Sequence, residues 1–367
     1  MKRSHILSLA RPCLVLSAVA ISTTPALAQE VQQGAAGSVP ATQEPSSAEG
    51  SPGSTDADAG QPDIVSRPPR EDTPAPQITR SKPGDSRYRI ELGVMPRYIS
   101  NYFQAEDQFN TGSTPEVSTY VTVLSGSVAY DVIHQKDSTL TIGGRVRQNI
   151  FADIDGADST ELDATANYRK GSNEFRVGYY HNPKRLAGIV SNQNVYAETN
   201  RVNLEYLRRI SSRWRSGVGY QFSRETYSSD NTRDVSRHQF HADIRYKVTS
   251  YFSPGVGIEY EERSGELENN SYSQITPMVM VTSSISNVAY LSFRYRHILR
   301  DYSTDIPSDS NFGRDDTRHE LSFYGTVQLG HGLSIFGFAY HNNSDSSRTG
   351  SSFKSSDVGL GLFYRFP

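Results

Sequence analysis

Residues 237–248 read RHQFHADIRYKV. Taken in twos, His238, Phe240, Ala242, Ile244, Tyr246 and Val248 share one face of an extended chain. Arg237, Gln239, His241, Asp243, Arg245 and Lys247 share the other. A period of two is the signature of a strand with one apolar and one wet face, whereas a helix would repeat its apolar residues three and four apart. The alternation recurs in TLTIGGRVR, ELDATANYRK, EFRVGYY, RVNLEYLRRI, PGVGIEYEE, YLSFRYRHIL and HELSFYGTVQL. No helical stripe of similar length competes with it.

The connections between these segments are as informative as the segments. Tight polar turns fall at HQKDS (134–138), KGSN (170–173), SSR (211–213), TSYFS (249–253), SN (286–287) and GHG (330–332). Longer polar loops lie between them, among them QAEDQFNTGSTPE, ETYSSDNTRDVS, ERSGELENNS and RDYSTDIPSDSNFGRDDT. Short and long connections that alternate fit an up-and-down barrel with turns at one mouth and loops at the other. Residues 87–366 at about 20 residues per strand and half-connections give about 14 strands. The expected fold is all-β, an antiparallel transmembrane barrel over residues 87–367. Closure removes the unpaired strand edges that lipid cannot tolerate.

Composition fits this reading. The chain holds 22 Tyr and 15 Phe but is only 35% hydrophobic. A polar lumen dilutes an apolar exterior in that way. Residues 1–28 combine Lys2 and Arg3, an apolar stretch and Ala26-Leu27-Ala28, the pattern of a secretory signal peptide. Cys13, the only cysteine, lies inside that segment, so no disulfide or thiolate chemistry is expected beyond it. Residues 29–86 are rich in Pro, Ser, Ala and acids and lack aromatics, and read as a disordered periplasmic tether.

The end of the chain, DVGLGLFYRFP, sets Val358, Leu360, Leu362, Tyr364 and Phe366 on one face. With the signal peptide and the barrel pattern, this tail resembles Gram-negative outer-membrane β-barrel proteins, whose closing strand alternates similarly and ends on an aromatic. The resemblance implies an outer-membrane location with the tether in the periplasm, surrounding lipid and lipopolysaccharide, and recognition of those five residues by the barrel-assembly machinery. Pro367 departs from the usual aromatic last residue. The closing hairpin, AYHNNSDSSRTGSSFKSSDVGLGLFYRF, also resembles porin-like barrels and those associated with polysaccharide export.

Catalytic chemistry is not expected. His341 and Ser344 are three apart and so face opposite ways on a strand, which disfavours acyl hydrolysis. His238 and His241 are spaced likewise, and His297 and His319 each stand alone in the sequence, so no metal site is expected. No cofactor motif, phosphate cradle or nucleic-acid signature is present. What remains is the wet face: Arg145, Arg147, Arg176, Arg237, Asp243, Arg245, Glu259, Glu261, Arg294, Arg296 and Tyr324 are the candidate lumen residues. Arg245 and Glu259 are expected to pair across neighbouring strands. Bases outnumber acids on this face, which points to a pore with weak anion preference. Three functions stay open: a porin-like channel for hydrophilic solutes, the exit of an exopolysaccharide or capsule export system docked through the tether, and a surface-interaction barrel with a plugged lumen.

Overall fold

The computed structural model describes residues 87–366 apart from 103–116, 136, 191–192, 229–233, 250, 267–270, 286–287, 308–310 and 349–350. The signal-peptide and tether expectations lie outside the described residues. The chain forms β1 (Tyr88–Ser100), β2 (Thr119–His134), β3 (Ser138–Phe151), β4 (Ser159–Lys170) and β5 (Asn173–Val190). It continues through β6 (Gln193–Arg209), β7 (Trp214–Tyr227), β8 (Val235–Tyr246), β9 (Phe252–Gly265) and β10 (Tyr272–Ile285). The last four are β11 (Ala289–Tyr302), β12 (Asp315–Gly330), β13 (Leu333–Ser346) and β14 (Phe353–Arg365).

Each strand pairs antiparallel with its sequence neighbours, and β14 pairs with β1, closing a fourteen-stranded barrel. The seam runs from Glu91↔Arg365 through Tyr98↔Val358 to Ser100↔Ser356. Two ion pairs bridge it on the inner side, Arg97–Asp357 at 2.5 Å and Arg365–Glu91 at 3.3 Å. The β2–β3, β4–β5, β6–β7, β8–β9, β10–β11 and β12–β13 connections fall at one mouth by strand order. In the β12–β13 turn, Gly330, His331 and Gly332 all take positive φ, of 95°, 50° and 82°. A Cβ on Gly332 would also strike the Arg365 carbonyl, so glycine is required there. One connection breaks the rhythm. β5 and β6 extend over 18 and 17 residues, leaving only residues 191–192 between them at the loop mouth. β5 absorbs that length with register shifts at Asn182/Arg185 and Leu186/Gly188.

Outward positions carry the apolar residues: Leu360 is 63% exposed, Ile258 54% and Val128 52%. In water such a surface would aggregate; in lipid it is the solvated face. Aromatic pairs rim the band. At the turn mouth Tyr88 meets Tyr130 (ring centroids 4.8 Å apart), Phe175 meets Tyr206 (4.8 Å), Trp214 meets Tyr246 (4.7 Å) and Tyr364 meets Phe366 (4.9 Å). Toward the loop mouth Tyr98 meets Tyr120, and in mid-strand Tyr220 meets Phe240. Tyr88 and Tyr98 belong to opposite rims of the same strand. At about 3.3 Å per residue and a tilt of roughly 40°, the ten residue steps from one to the other rise about 25 Å, the height of a lipid-facing band.

Candidate functional site: the lumen

With the apolar set outside, every second residue points inward. All eleven residues expected in the lumen occupy that inner face, and Val358, Leu360, Leu362, Tyr364 and Phe366 occupy the outer one, each at least 40% exposed. The inner face divides into three regions.

Near the turn mouth a cavity of about 400 Å³ opens between β2 and β6, lined among others by Arg89, Asp131, Arg169, Glu174, Arg176 and Glu205. Arg176 links Glu174 (2.5 Å) to Glu205 (2.9 Å). Asp131 takes Arg89 at 2.7 Å and the Thr141 hydroxyl at 2.7 Å. The Arg176 side chain remains 44% exposed, so this vestibule is wet and its ion pairs are weak holders.

Toward the loop mouth the charges are buried. Arg296 reaches Glu259 at 2.5 Å and Glu320 at 2.9 Å, joining β9, β11 and β12. Side-chain exposures are 4% for Arg296, 7% for Glu259 and 4% for Glu320. Glu261 accepts from the Tyr272 hydroxyl at 2.8 Å. Arg300 donates to Gln274 at 3.1 Å and lies over the Tyr272 ring at 4.1 Å. Arg237 pairs with Glu225 at 3.2 Å. This half of the lumen is a dense guanidinium–carboxylate–tyrosine lattice.

The third region is apolar and was not foreseen. Met95, Val121, Val123, Phe336 and Phe363 are buried inward-facing residues from β1, β2, β13 and β14, and Tyr324 of β12 joins them. Phe338 of β13 packs alongside, with Arg97 stacked on its ring at 5.3 Å. A Cβ at Gly359 would collide with Phe338, so the small residue makes room for the ring. Tyr324 is therefore part of an apolar wall rather than of the charged lining. Above it, Tyr102, Ile154, Ala157 and Leu186 extend the cluster toward the loop mouth.

Two pairing expectations need correction. Arg245 does not meet Glu259; it bonds Asp243 on its own strand at 2.8 Å, and Gly255 is its register partner on β9. Glu259 reaches past β10 to Arg296 instead. Nor do His297 and His319 stand alone: the β11–β12 register sets them opposite each other, with their Nδ1 atoms 3.4 Å apart on the outer face. His341, considered with Ser344, instead contacts the Ser356 hydroxyl across the β13–β14 pair at 2.9 Å. Among the described residues no carboxylate stands within salt-bridge reach of His341, so the pair lacks the third group that would orient a base.

No protein-family model and no curated protein matches the chain. Solved structures that resemble it include a loop L8 deletion mutant of OmpT, an outer membrane protein of Vibrio cholerae. It is 11% identical, with TM-score 0.40, and covers 77% of this chain and all of that one. The anion-selective porin from Comamonas acidovorans is 8% identical, with TM-score 0.38 and coverage of 76% and 98%. The outer membrane channel DcaP of Acinetobacter baumannii is 10% identical, with TM-score 0.40 and coverage of 76% and 96%. The fold of this chain stands on its own strand pairing, and these distant likenesses carry no functional weight.

Proposed function

We propose that this chain is an outer-membrane channel, a passive path for small hydrophilic solutes with a weak preference for anions. The observation that carries the reading is the inner face: a closed barrel, apolar outside, is lined inside by arginines that exceed the carboxylates they meet. Ion pairing consumes most of that charge, as at Arg147–Glu161 (2.9 Å) and Arg245–Asp243 (2.8 Å). A surplus of fixed guanidinium charge raises the local concentration of anions and sets selectivity. The wet vestibule with Arg169 and Arg176 gathers the solute, and the lattice around Arg296 limits its size. The apolar wall of Phe336, Phe338 and Tyr324 adjoins the charged lattice, with Tyr324 and Glu320 on the same strand, which suits solutes with one apolar edge.

No step of this function is covalent. The proposal includes the exposed alternating face of β14 as the mark the assembly machinery reads, and lipid and lipopolysaccharide as the surrounding partners. The test is efflux from proteoliposomes carrying the full chain. Gluconate and acetate should leave faster than cations of equal size, and Arg169→Gln with Arg176→Gln should narrow the difference. Vesicles with folded protein that retain every solute would reject the channel and favour a plugged barrel.

A further inference from the structure

Among the described residues, five outward-facing histidines lie toward the loop mouth: His181, His238, His297, His319 and His341. Three of them each have one oxygen at hydrogen-bond distance from Nδ1, and His181 Nδ1 also lies 3.9 Å from Glu198 Oε1. His181 meets Asn200 Oδ1 at 2.9 Å, His238 the Tyr220 hydroxyl at 2.8 Å, and His341 the Ser356 hydroxyl at 2.9 Å. His319 differs. Its Nδ1 is 2.8 Å from the Tyr295 hydroxyl and also 3.4 Å from His297 Nδ1. A ring nitrogen offers one lone pair or one proton in the ring plane, so it serves one hydrogen bond well and not two. Among the described residues, the nitrogen of His319 is the only imidazole contact made to His297 Nδ1.

We infer that His297 and His319 form a binding site for a divalent transition-metal ion on the outer face, with the Tyr295 oxygen beside it. The geometry supports this independently of the hydrogen-bond count. Two nitrogens bound to one metal at about 2.0–2.1 Å in a tetrahedral shell stand about 3.3–3.4 Å apart, and the two Nδ1 atoms are 3.4 Å apart. The rings face one another with centroids 4.9 Å apart, fixed by direct register opposition on β11 and β12. Rigid strands thus hold the two donors in place before a metal arrives. Imidazole selects borderline ions such as Zn²⁺, Ni²⁺ or Cu²⁺ over Mg²⁺ and Ca²⁺, which prefer oxygen shells. Tyr295 and water complete the coordination. The site lies on the outward row of β11 between Tyr295 and Leu299, near the loop-side end of the apolar band. A bound ion would cross-link β11 to β12 at the loop mouth.

The test uses the untagged full chain, folded in detergent, and Zn²⁺ alone as probe, with competition against a chelating dye. One saturable equivalent is expected, unaffected by excess Mg²⁺. His297→Ala and His319→Ala should each weaken it at least tenfold, and His341→Ala should leave it unchanged. With Cu²⁺ as probe, electron paramagnetic resonance should show two coordinated nitrogens, falling to one in either variant. The fold of each variant is checked by heat-modifiable gel migration. Equal Zn²⁺ affinity in wild type and both variants, or loss of binding in His341→Ala or His238→Ala instead, would overturn the proposal.

Discussion

Replacing Arg296 by Met separates a sealed lattice from a flooded one. Arg296 donates Nη2 to Glu259 at 2.5 Å and Nη1 to Glu320 at 2.9 Å. All three side chains are at most 7% exposed. Removing the guanidinium takes away the charge that joins two carboxylates in a site that water barely enters. Breaking one buried pair costs about 3–5 kcal/mol, whereas an exposed pair is worth roughly 0–1 kcal/mol. The two losses do not simply add, since a freed carboxylate can take up a proton and then donate to the other. Arg296→Met should therefore lower stability by about 3–5 kcal/mol. The triple replacement Glu259→Gln, Arg296→Met, Glu320→Gln should recover most of it, because it removes the uncompensated charge. The assay is denaturant unfolding in lipid vesicles, followed by Trp214, the only tryptophan, which sits on the outer face against Tyr246. A loss under about 1 kcal/mol for the single variant would refute the reasoning and describe a lattice flooded by water.

Three further outcomes follow from the same structure. Leu360→Arg puts a charge on the lipid face in mid-strand and should cost about 2–4 kcal/mol in the same unfolding assay. Gly359→Leu drives a side chain into Phe338 and Arg97, and overpacking of this kind should cost about 1–3 kcal/mol, read as a lowered unfolding midpoint. Deleting residues 29–85 should leave the conductance of the refolded barrel unchanged. A drop in conductance on that deletion would tie the N-terminal segment to the pore itself.

How much of this was legible in the sequence depends on what each face touches. Where lipid lies on one side and water on the other, alternation is sharp, and RHQFHADIRYKV could be assigned face by face. Where the inner face is itself apolar, the contrast disappears. Val121 and Val123 look inward while Tyr120 and Leu124 look outward, and the string TYVTVL does not say which is which. The face of Phe363 was legible from the alternation of the closing strand, but its packing against Phe336, with ring centroids 6.0 Å apart, was not. Pairings were less legible than faces. Register is set by turn geometry and by the fit of all fourteen strands, so a residue's neighbour lies many positions away in the chain. Long arginines then reach diagonally beyond their register partners, which is how Glu259 came to Arg296 across β10 rather than to Arg245. The His297–His319 contact was hidden for the same reason, the two residues being joined only by the β11–β12 register.

The channel reading is tested most directly by reversal potential in a planar lipid bilayer, with the full chain refolded and a potassium chloride gradient across the membrane. Steady open steps with a reversal potential displaced toward that of chloride are predicted, and the displacement should shrink in Arg169→Gln with Arg176→Gln. Folded, inserted protein that passes no current, or a displacement toward potassium, would contradict the assignment of the lumen.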